Sequence, residues 1–209
     1  MEAFEQVVKV FLEAKGYVVT SNVKFPVRRK TKKVKYDEYQ THGYEVDIVA
    51  ARHDSLILGS VKSFFGSVGV NRQGFRGIAD NSRRTDFRNY VIFNEPEVRE
   101  GILREAEKRY GYPRSQTQFY LFAGKFKTGD EIVITDHLNG IKAGAGPVKV
   151  VNLESIVEGL LEAAQSKTYY NDPVVITLKA LKEAGVQLKS PKEKTTLDFQ
   201  ALRAKLRGQ

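Results

Sequence analysis

Residues 43–65 read GYEVDIVAARHDSLILGSVKSFF, and this segment carries the clearest structural pattern in the chain. Residues 46–49 are rich in β-branched side chains, which favour a strand. Residues 56–61 form a second, mostly apolar run, and the polar residues 52–55 separate the two. Two apolar runs joined by a short polar connection predict a β-hairpin.

The predicted hairpin carries three charged residues in an otherwise apolar setting. Glu45 and Asp47 are two positions apart, so they project from the same face of the first strand. Lys62 ends the second strand, and pairing about the turn places it near both carboxylates. Carboxylates bind Mg²⁺, and an ammonium group positions or deprotonates water and stabilises charge on a phosphate. The pattern therefore favours metal-dependent phosphodiester hydrolysis, and the alternative is an ordinary hairpin with a surface ion pair.

The segments EVDIVA and LILGSVKS resemble the core of the PD-(D/E)xK nuclease superfamily, which includes type II restriction enzymes, Mrr-like nucleases and archaeal Holliday-junction resolvases. The usual pattern is an Asp followed by a strand that ends in Glu-x-Lys, and Ser60 stands here where the second carboxylate is expected. The resemblance implies a catalytic set of Asp47, Lys62, Glu45 and Ser60, with Asp47 and Glu45 as metal ligands. It also implies a further Glu from an N-terminal helix, for which Glu5 is the candidate; the alternative for Glu5 is a solvated position on that helix.

Composition narrows the classes of partner and of chemistry. The chain has 209 residues, a net charge of +9 and a pI near 9.6, which favours a polyanionic partner. It contains no cysteine, which excludes disulfides, Cys-ligated zinc and thiol catalysis and fits a cytoplasmic location. No apolar run approaches the ~20 residues of a membrane helix, and the N-terminus lacks a signal-peptide pattern, so no membrane partner is expected.

Two basic segments lie on either side of the predicted hairpin. Residues 28–35 hold six cations in eight positions, which predicts either a basic arm that contacts phosphates or a solvated loop. Residues 66–89 contain five arginines, whose guanidinium groups can bind phosphate or guanine in bidentate fashion, or be solvated on a mobile loop. The residues that we expect to contact DNA are Arg28, Arg29, Lys32, Lys33, Asn71, Arg72, Arg76, Arg83 and Arg84.

The remaining pattern predicts an α/β fold with a mixed central sheet flanked by helices, a restriction-endonuclease-like α/β/α core. The predicted helices cover residues 1–15, 96–110, 154–166 and 173–184. The predicted strands outside the hairpin cover residues 17–21, 90–93, 119–122, 131–135 and 148–153. We expect one nuclease-like domain over residues 1–188 and a basic extension over residues 189–209.

These features together predict a metal-dependent endonuclease that cleaves DNA, most simply double-stranded, with Mg²⁺ as cofactor and Mn²⁺ as a possible substitute. A restriction-type enzyme is the first expectation, followed by a Mrr-like, repair or junction-resolving nuclease. One alternative is a nuclease-fold DNA-binding module that lost catalysis with its second carboxylate, and another is an RNA-cleaving relative. The last segment, with Leu197, Leu202 and Leu206, could dock as a helix or support the homodimer that we expect.

Overall fold

The computed structural model describes residues 2–30, 38–78, 86–167 and 171–186. The chain divides into two compact units, residues 1–153 and 154–209. The domain boundary predicted at residue 188 lies outside the described residues and stays a prediction.

The first unit is built on a five-stranded mixed sheet. Its strands are β1 (Val18–Lys30), β2 (Tyr39–Arg52), β3 (Ser55–Lys62), β4 (Thr117–Ala123) and β7 (Lys149–Asn152), in the order β1-β2-β3-β4-β7. The pairs β1–β2 and β2–β3 are antiparallel, whereas β3–β4 and β4–β7 are parallel. Two short strands, β5 (Lys142–Ala143) and β6 (Gly146–Pro147), form a separate antiparallel pair.

The described residues of this unit include four helices: α1 (Ala3–Ala14), α2 (Val91–Asn94), α3 (Pro96–Tyr110) and α4 (Glu131–Asn139). Helix α1 packs on β1, β2 and β3, helix α3 packs on β1, and helix α4 packs on β7. Three 3₁₀ turns complete it, at Arg72–Gly74, Asp86–Tyr90 and Arg114–Gln116. The predicted fold class, a mixed sheet flanked by helices, is confirmed.

The hairpin predicted from residues 43–65 is formed by β2 and β3. Its ladder runs from Arg52↔Ser55 at the turn to Ile48↔Gly59. Gly59 is required by packing, because a Cβ atom there would lie 2.7 Å from the ring of Phe122. The hairpin is therefore fixed on both sides, by the turn and by close contact with β4.

Buried apolar side chains hold the sheet and α3 together. Strand residues alternate between the two faces of a sheet, so Leu56 and Leu58 of β3 share one face. They join Phe119 and Leu121 of β4 and Ile102 of α3 in one cluster of buried side chains. Burial of a side chain of this size contributes about 1.5–3 kcal/mol to folding.

Two predicted strands are wrong. Residues 90–93 form a 3₁₀ turn and the start of α2, and the buried Arg99 side chain donates to the carbonyl oxygens of Ile92 and Phe93. Residues 131–135 begin α4, where Ile134 and Leu138 are buried at helical spacing. A short apolar run fits either structure, and tertiary contacts decide between them. Because residues 90–93 are not a strand, the strand that precedes β4 in the chain is β3, and the two pair in parallel. Helices α2 and α3 lie between them in the chain.

The other predicted elements are present with shifted ends. Strand β1 continues to Lys30 and pairs with β2 from Val18↔Ala51 to Lys30↔Tyr39, so the basic run begins inside a strand. Helix α3 ends at Tyr110, and the following residue, Gly111, has a left-handed backbone.

The second unit contains two helices among its described residues, α5 (Leu153–Gln165) and α6 (Pro173–Glu183). Leu153 itself is the last residue of the first unit. Asp172 caps α6 by accepting the backbone N–H of Val174 at 2.8 Å. Within the four described ranges, no helix has the length and apolar character needed to cross a membrane.

Candidate active-site cleft

Asp47 lies at the point where the β2–β3 ladder stops. The last backbone pair is Ile48↔Gly59, and beyond it the Asp47 carboxylate takes over as hydrogen-bond acceptor for β3. Its Oδ2 atom accepts the backbone N–H of Val61 at 2.6 Å and the hydroxyl of Ser60 at 3.0 Å. Hydrogen bonds to an ionised oxygen are stronger than those between neutral groups, so this carboxylate is held in one orientation.

Lys62 completes the arrangement. Its Nζ atom lies 3.6 Å from Asp47 Oδ2, and the two side chains are only 20% and 17% exposed. The juxtaposition predicted from hairpin pairing is present. Because both donors and the ammonium face Oδ2, the second oxygen of Asp47 receives no hydrogen bond from the described residues. That oxygen is available to a ligand.

The Asp47–Lys62 pair opens into a cleft of about 300 Å³. Its lining consists of Glu2, Glu5, Glu45, Asp47, Val61, Lys62, Ser63, Phe64 and Asn89. Four residues expected at the site from the sequence, Glu5, Glu45, Asp47 and Lys62, therefore share one cavity. Segments far apart in the chain meet here: the start of α1, the middle of β2 and the end of β3.

Five lining residues were not predicted from the sequence, and two of them, Glu2 and Asn89, come from outside residues 43–65. Glu2 precedes α1, and its backbone N–H donates to Glu5 Oε2 at 3.2 Å, which brings both residues to the same helix end. The spacing of three residues between these glutamates was a possible signal, since an acid three positions into a helix commonly binds the cap residue. Asn89 gave no such signal, because it approaches the cleft only through tertiary packing.

Glu45 occupies the rim of the cleft. Its side chain is 46% exposed, and its Oε2 atom lies 3.8 Å from Nζ of Lys24 on the neighbouring strand. Exposed pairs of this kind contribute little to stability and exchange partners readily. Glu45 therefore has a carboxylate that can turn toward the cleft or toward Lys24.

Ser60 has a different position from the other four predicted residues. It is 6% exposed, and its hydroxyl donates to Asp47 rather than lining the cleft. The residue that replaces the expected second carboxylate thus orients the first one.

The cleft offers oxygen ligands, but they are not preassembled into a metal-coordination site. Among the described residues, no group of three or more His, Asp or Glu side chains is placed to hold a metal ion. Mg²⁺ usually keeps several waters and takes only one or two carboxylates from a protein. The second oxygen of Asp47 and the half-exposed carboxylate of Glu45 fit that requirement, because both are hard, charged donors that line one cavity.

The predicted DNA-contact residues divide by what their side chains already bind. Arg28 is exposed, and its guanidinium lies 4.9 Å from the ring centre of Tyr39. Arg29, one position on, donates to Tyr44 Oη at 2.9 Å and lies 3.5 Å from Glu95. The hydrogen bond from Arg29 to Tyr44 raises the pKa of this guanidinium above its ordinary value. Arg29 therefore holds β1 and β2 to the start of α3.

Three further candidates also have internal partners. Asn71 accepts the backbone N–H of Gln73 at 3.1 Å, as the cap of a short 3₁₀ turn. Arg72 Nε lies 2.9 Å from the fully buried Asp130. Arg76 is 2.7 Å from Glu95 and stacks on Phe87. The last candidates, Lys32, Lys33, Arg83 and Arg84, lie outside the described residues.

No protein-family model matches the chain, and no curated protein matches it. Among solved structures, it is similar to a crystal structure of a protein of unknown function, AF1548. The two are 16% identical, the match covers 88% of this chain and 77% of that chain, and the TM-score is 0.36. A TM-score of this size supports no conclusion about fold or activity.

Proposed function

We propose that this protein is a metal-dependent endonuclease that hydrolyses DNA phosphodiester bonds, with a restriction-type enzyme as the first subtype. The observation that carries the proposal is the state of Asp47. One of its oxygens is held by Val61 and Ser60 beside Lys62, the other accepts no hydrogen bond from the described residues, and Asp47 lines a cleft together with Glu45.

The residues of the cleft have complementary roles in this proposal. The Asp47 carboxylate keeps the Lys62 ammonium in the cavity, where its charge can stabilise negative charge that develops on a phosphate oxygen. The Ser60 hydroxyl and the Val61 N–H both donate to Asp47 Oδ2, and they fix that one oxygen beside Lys62. Asp47 and Glu45 would hold Mg²⁺, or Mn²⁺ in its place, and the ion would polarise the phosphate and acidify a bound water.

The cleft's charge explains why a cation is needed. Its lining includes four carboxylates and a single lysine, so a phosphodiester anion is repelled unless positive charge is added. The net charge of +9 over the whole chain nevertheless favours approach of a polyanion. Double-stranded DNA as substrate, a homodimer and a cytoplasmic location are part of the same proposal.

A DNA-binding module without catalysis is the second candidate. Two observations favour it: Ser60 replaces a carboxylate, and no group of three acidic or histidine ligands is preassembled in the described part of the chain. Such a module would bind the same polymer and release no product.

The test is a substrate panel of supercoiled plasmid, four-way junction, single-stranded DNA and RNA, each with Mg²⁺ and with Mn²⁺. We expect the wild-type protein to cut DNA and Lys62→Ala to lose at least ~100-fold in rate. Lys9→Ala is the matched control, because Lys9 forms a comparable ion pair with Glu13 at 3.7 Å on α1. Binding of DNA without cleavage of any substrate would support the second candidate instead.

A further inference from the structure

Strands β1 and β2 extend well beyond the rest of the sheet. They pair with each other from Val18↔Ala51 to Lys30↔Tyr39, whereas β3 pairs with β2 only over residues 48–52. Residues 23–30 and 39–46 therefore form a two-stranded antiparallel segment, which we call the ribbon.

The outer face of the ribbon is exposed, and the β1 half of its inner face is buried. Side chains alternate along a strand, and Val23, Phe25 and Val27 of β1 are buried on the inner face. Val27 packs so closely against α3 that a Cβ atom on Gly101 would lie 2.3 Å from it. The outer face carries Lys24, Pro26, Arg28 and Lys30 of β1 opposite Glu45, Gly43, Thr41 and Tyr39 of β2, and all eight are exposed.

Nothing in the fold requires a glycine at position 43 on this face. Its backbone is not left-handed, and a Cβ atom there would meet only the Lys24 side chain, at 4.0 Å. Glycine inside a strand weakens the strand and often marks a place where another backbone approaches closely. Gly43 lies opposite Pro26, so together they form a low point on the outer face between Arg28 and the cleft.

We propose that the outer face of the ribbon seats double-helical DNA in its major groove, with the sugar-phosphate backbone passing over Gly43 toward the cleft. This inference rests on the proposed function for the location of the reaction, but it concerns binding alone. Glu45 belongs to both surfaces, because it closes the ribbon's outer face and lines the cleft. The two surfaces are thus continuous.

Shape favours a DNA duplex over other nucleic acids. The major groove of B-DNA is ~12 Å wide and admits a two-stranded β-ribbon. From the pair Lys24↔Glu45 to the pair Lys30↔Tyr39 the outer face spans roughly 20 Å, at about 3.3 Å per residue. The major groove of A-form RNA is too narrow and deep for such an element.

Charge and stacking agree with the same partner. Three of the four outer residues of β1 are cationic, and the Arg28 guanidinium lies over Tyr39 with its donors free to reach phosphate or a guanine edge. Single strands are usually bound by open aromatic rings on which bases stack. Tyr39 is the one aromatic residue among the eight outer residues, and the Arg28 guanidinium occupies one side of its ring, so this face offers no row of rings for successive bases.

Neighbouring arginines provide the first test, by fluorescence anisotropy with duplex DNA in EDTA, where no metal-dependent cleavage occurs. Arg28→Ala should weaken binding about tenfold, the size of one bidentate contact, and flatten its salt dependence if the contact is to phosphate. Arg29→Ala is the matched control, since Arg29 binds Tyr44 and Glu95 on the inner side, and it should leave affinity within about twofold once folding is verified.

The second test adds a side chain at position 43, the low point of the outer face. Gly43→Val should retain or raise the melting temperature, because a β-branched residue suits an exposed strand, yet weaken duplex binding at least about tenfold. Gly43→Ala should fall between wild type and Gly43→Val. Gln40→Val places the same side chain on the opposite face of β2 and should bind as wild type.

Folded Arg28→Ala and Gly43→Val proteins that bind duplex DNA as wild type would overturn the inference. So would wild-type protein that binds no duplex, or that prefers single-stranded DNA or RNA. The result is separable from the proposed function. Variant-sensitive binding without any cleavage would retain the ribbon surface and refute the nuclease, whereas cleavage by variants with unchanged binding would do the opposite.

Discussion

Asp47 should contribute to stability as well as to catalysis, and the structure allows the two effects to be separated. Asp47→Ala leaves the Val61 N–H and the Ser60 hydroxyl without their acceptor. An unsatisfied buried polar group costs about 1–3 kcal/mol. Loss of the partly exposed pair with Lys62 adds no more than about 1 kcal/mol. Two such groups and the ion pair together should lower the free energy of unfolding of Asp47→Ala by roughly 2–7 kcal/mol.

Asp47→Asn provides the separation. The amide oxygen can still accept the Val61 N–H, so the loss of stability should be smaller than in Asp47→Ala, about 1–2 kcal/mol. The charge that would hold a cation and orient Lys62 is absent in both variants. We expect the two variants to lose cleavage equally, by at least ~100-fold, despite their different stabilities.

Urea denaturation followed by circular dichroism gives the stabilities, and plasmid cleavage under single-turnover conditions gives the rates. Ser60→Ala is the intermediate variant, because it removes one neutral donor from Asp47 and leaves the charge; it should cost about 1 kcal/mol and retain measurable cleavage. If folded Asp47→Asn cut DNA at the wild-type rate, the role assigned to this carboxylate would be wrong.

Three further predictions concern other parts of the molecule. Gly101→Ala should destabilise the protein by about 1–3 kcal/mol in urea titration, because the added Cβ atom overlaps Val27; an unchanged midpoint would refute this close packing. Burial, and secondarily a nearby arginine, lower the pKa of His137 from its ordinary 6.5. As pH falls below about 6.5, the unfolded chain therefore binds this proton before the folded protein does, and the free energy of unfolding decreases. Urea midpoints between pH 7 and pH 5 should therefore fall less in His137→Gln than in wild type, whereas the exposed His53→Gln should follow wild type. Glu45→Gln should raise the Mg²⁺ concentration needed for half-maximal cleavage, and an unchanged requirement would exclude Glu45 as a ligand.

The hairpin and its charged pair were predictable because they depend on local rules. Strand alternation places Glu45 and Asp47 on one face, and a short turn brings Lys62 back to them. The hydrogen bonds that hold Asp47 could not be predicted, since they arise where the backbone ladder stops. The participation of Glu2 depends on where α1 packs, which no local pattern specifies.

The roles of the basic residues, in contrast, could not be predicted from the sequence. Arg28 and Arg29 are adjacent and look equivalent in sequence, yet strand alternation sends one outward and the other toward Glu95. Arg72 was predicted to contact DNA, but its guanidinium pairs with Asp130, which is 58 positions away in the chain. Charge runs predict the sign of a surface, whereas distant acidic partners decide which cations remain available on it.

The single-turnover rate of plasmid cleavage, measured against Mg²⁺ concentration for wild type, Lys62→Ala and Lys9→Ala, shows whether this cleft is the active site. We predict a rate that rises with Mg²⁺ and saturates in wild type and Lys9→Ala, and that stays at least ~100-fold lower in Lys62→Ala at every concentration. A wild-type rate that does not depend on a divalent ion, or a folded Lys62→Ala protein that cuts as wild type, would contradict the assignment of this cleft as the active site.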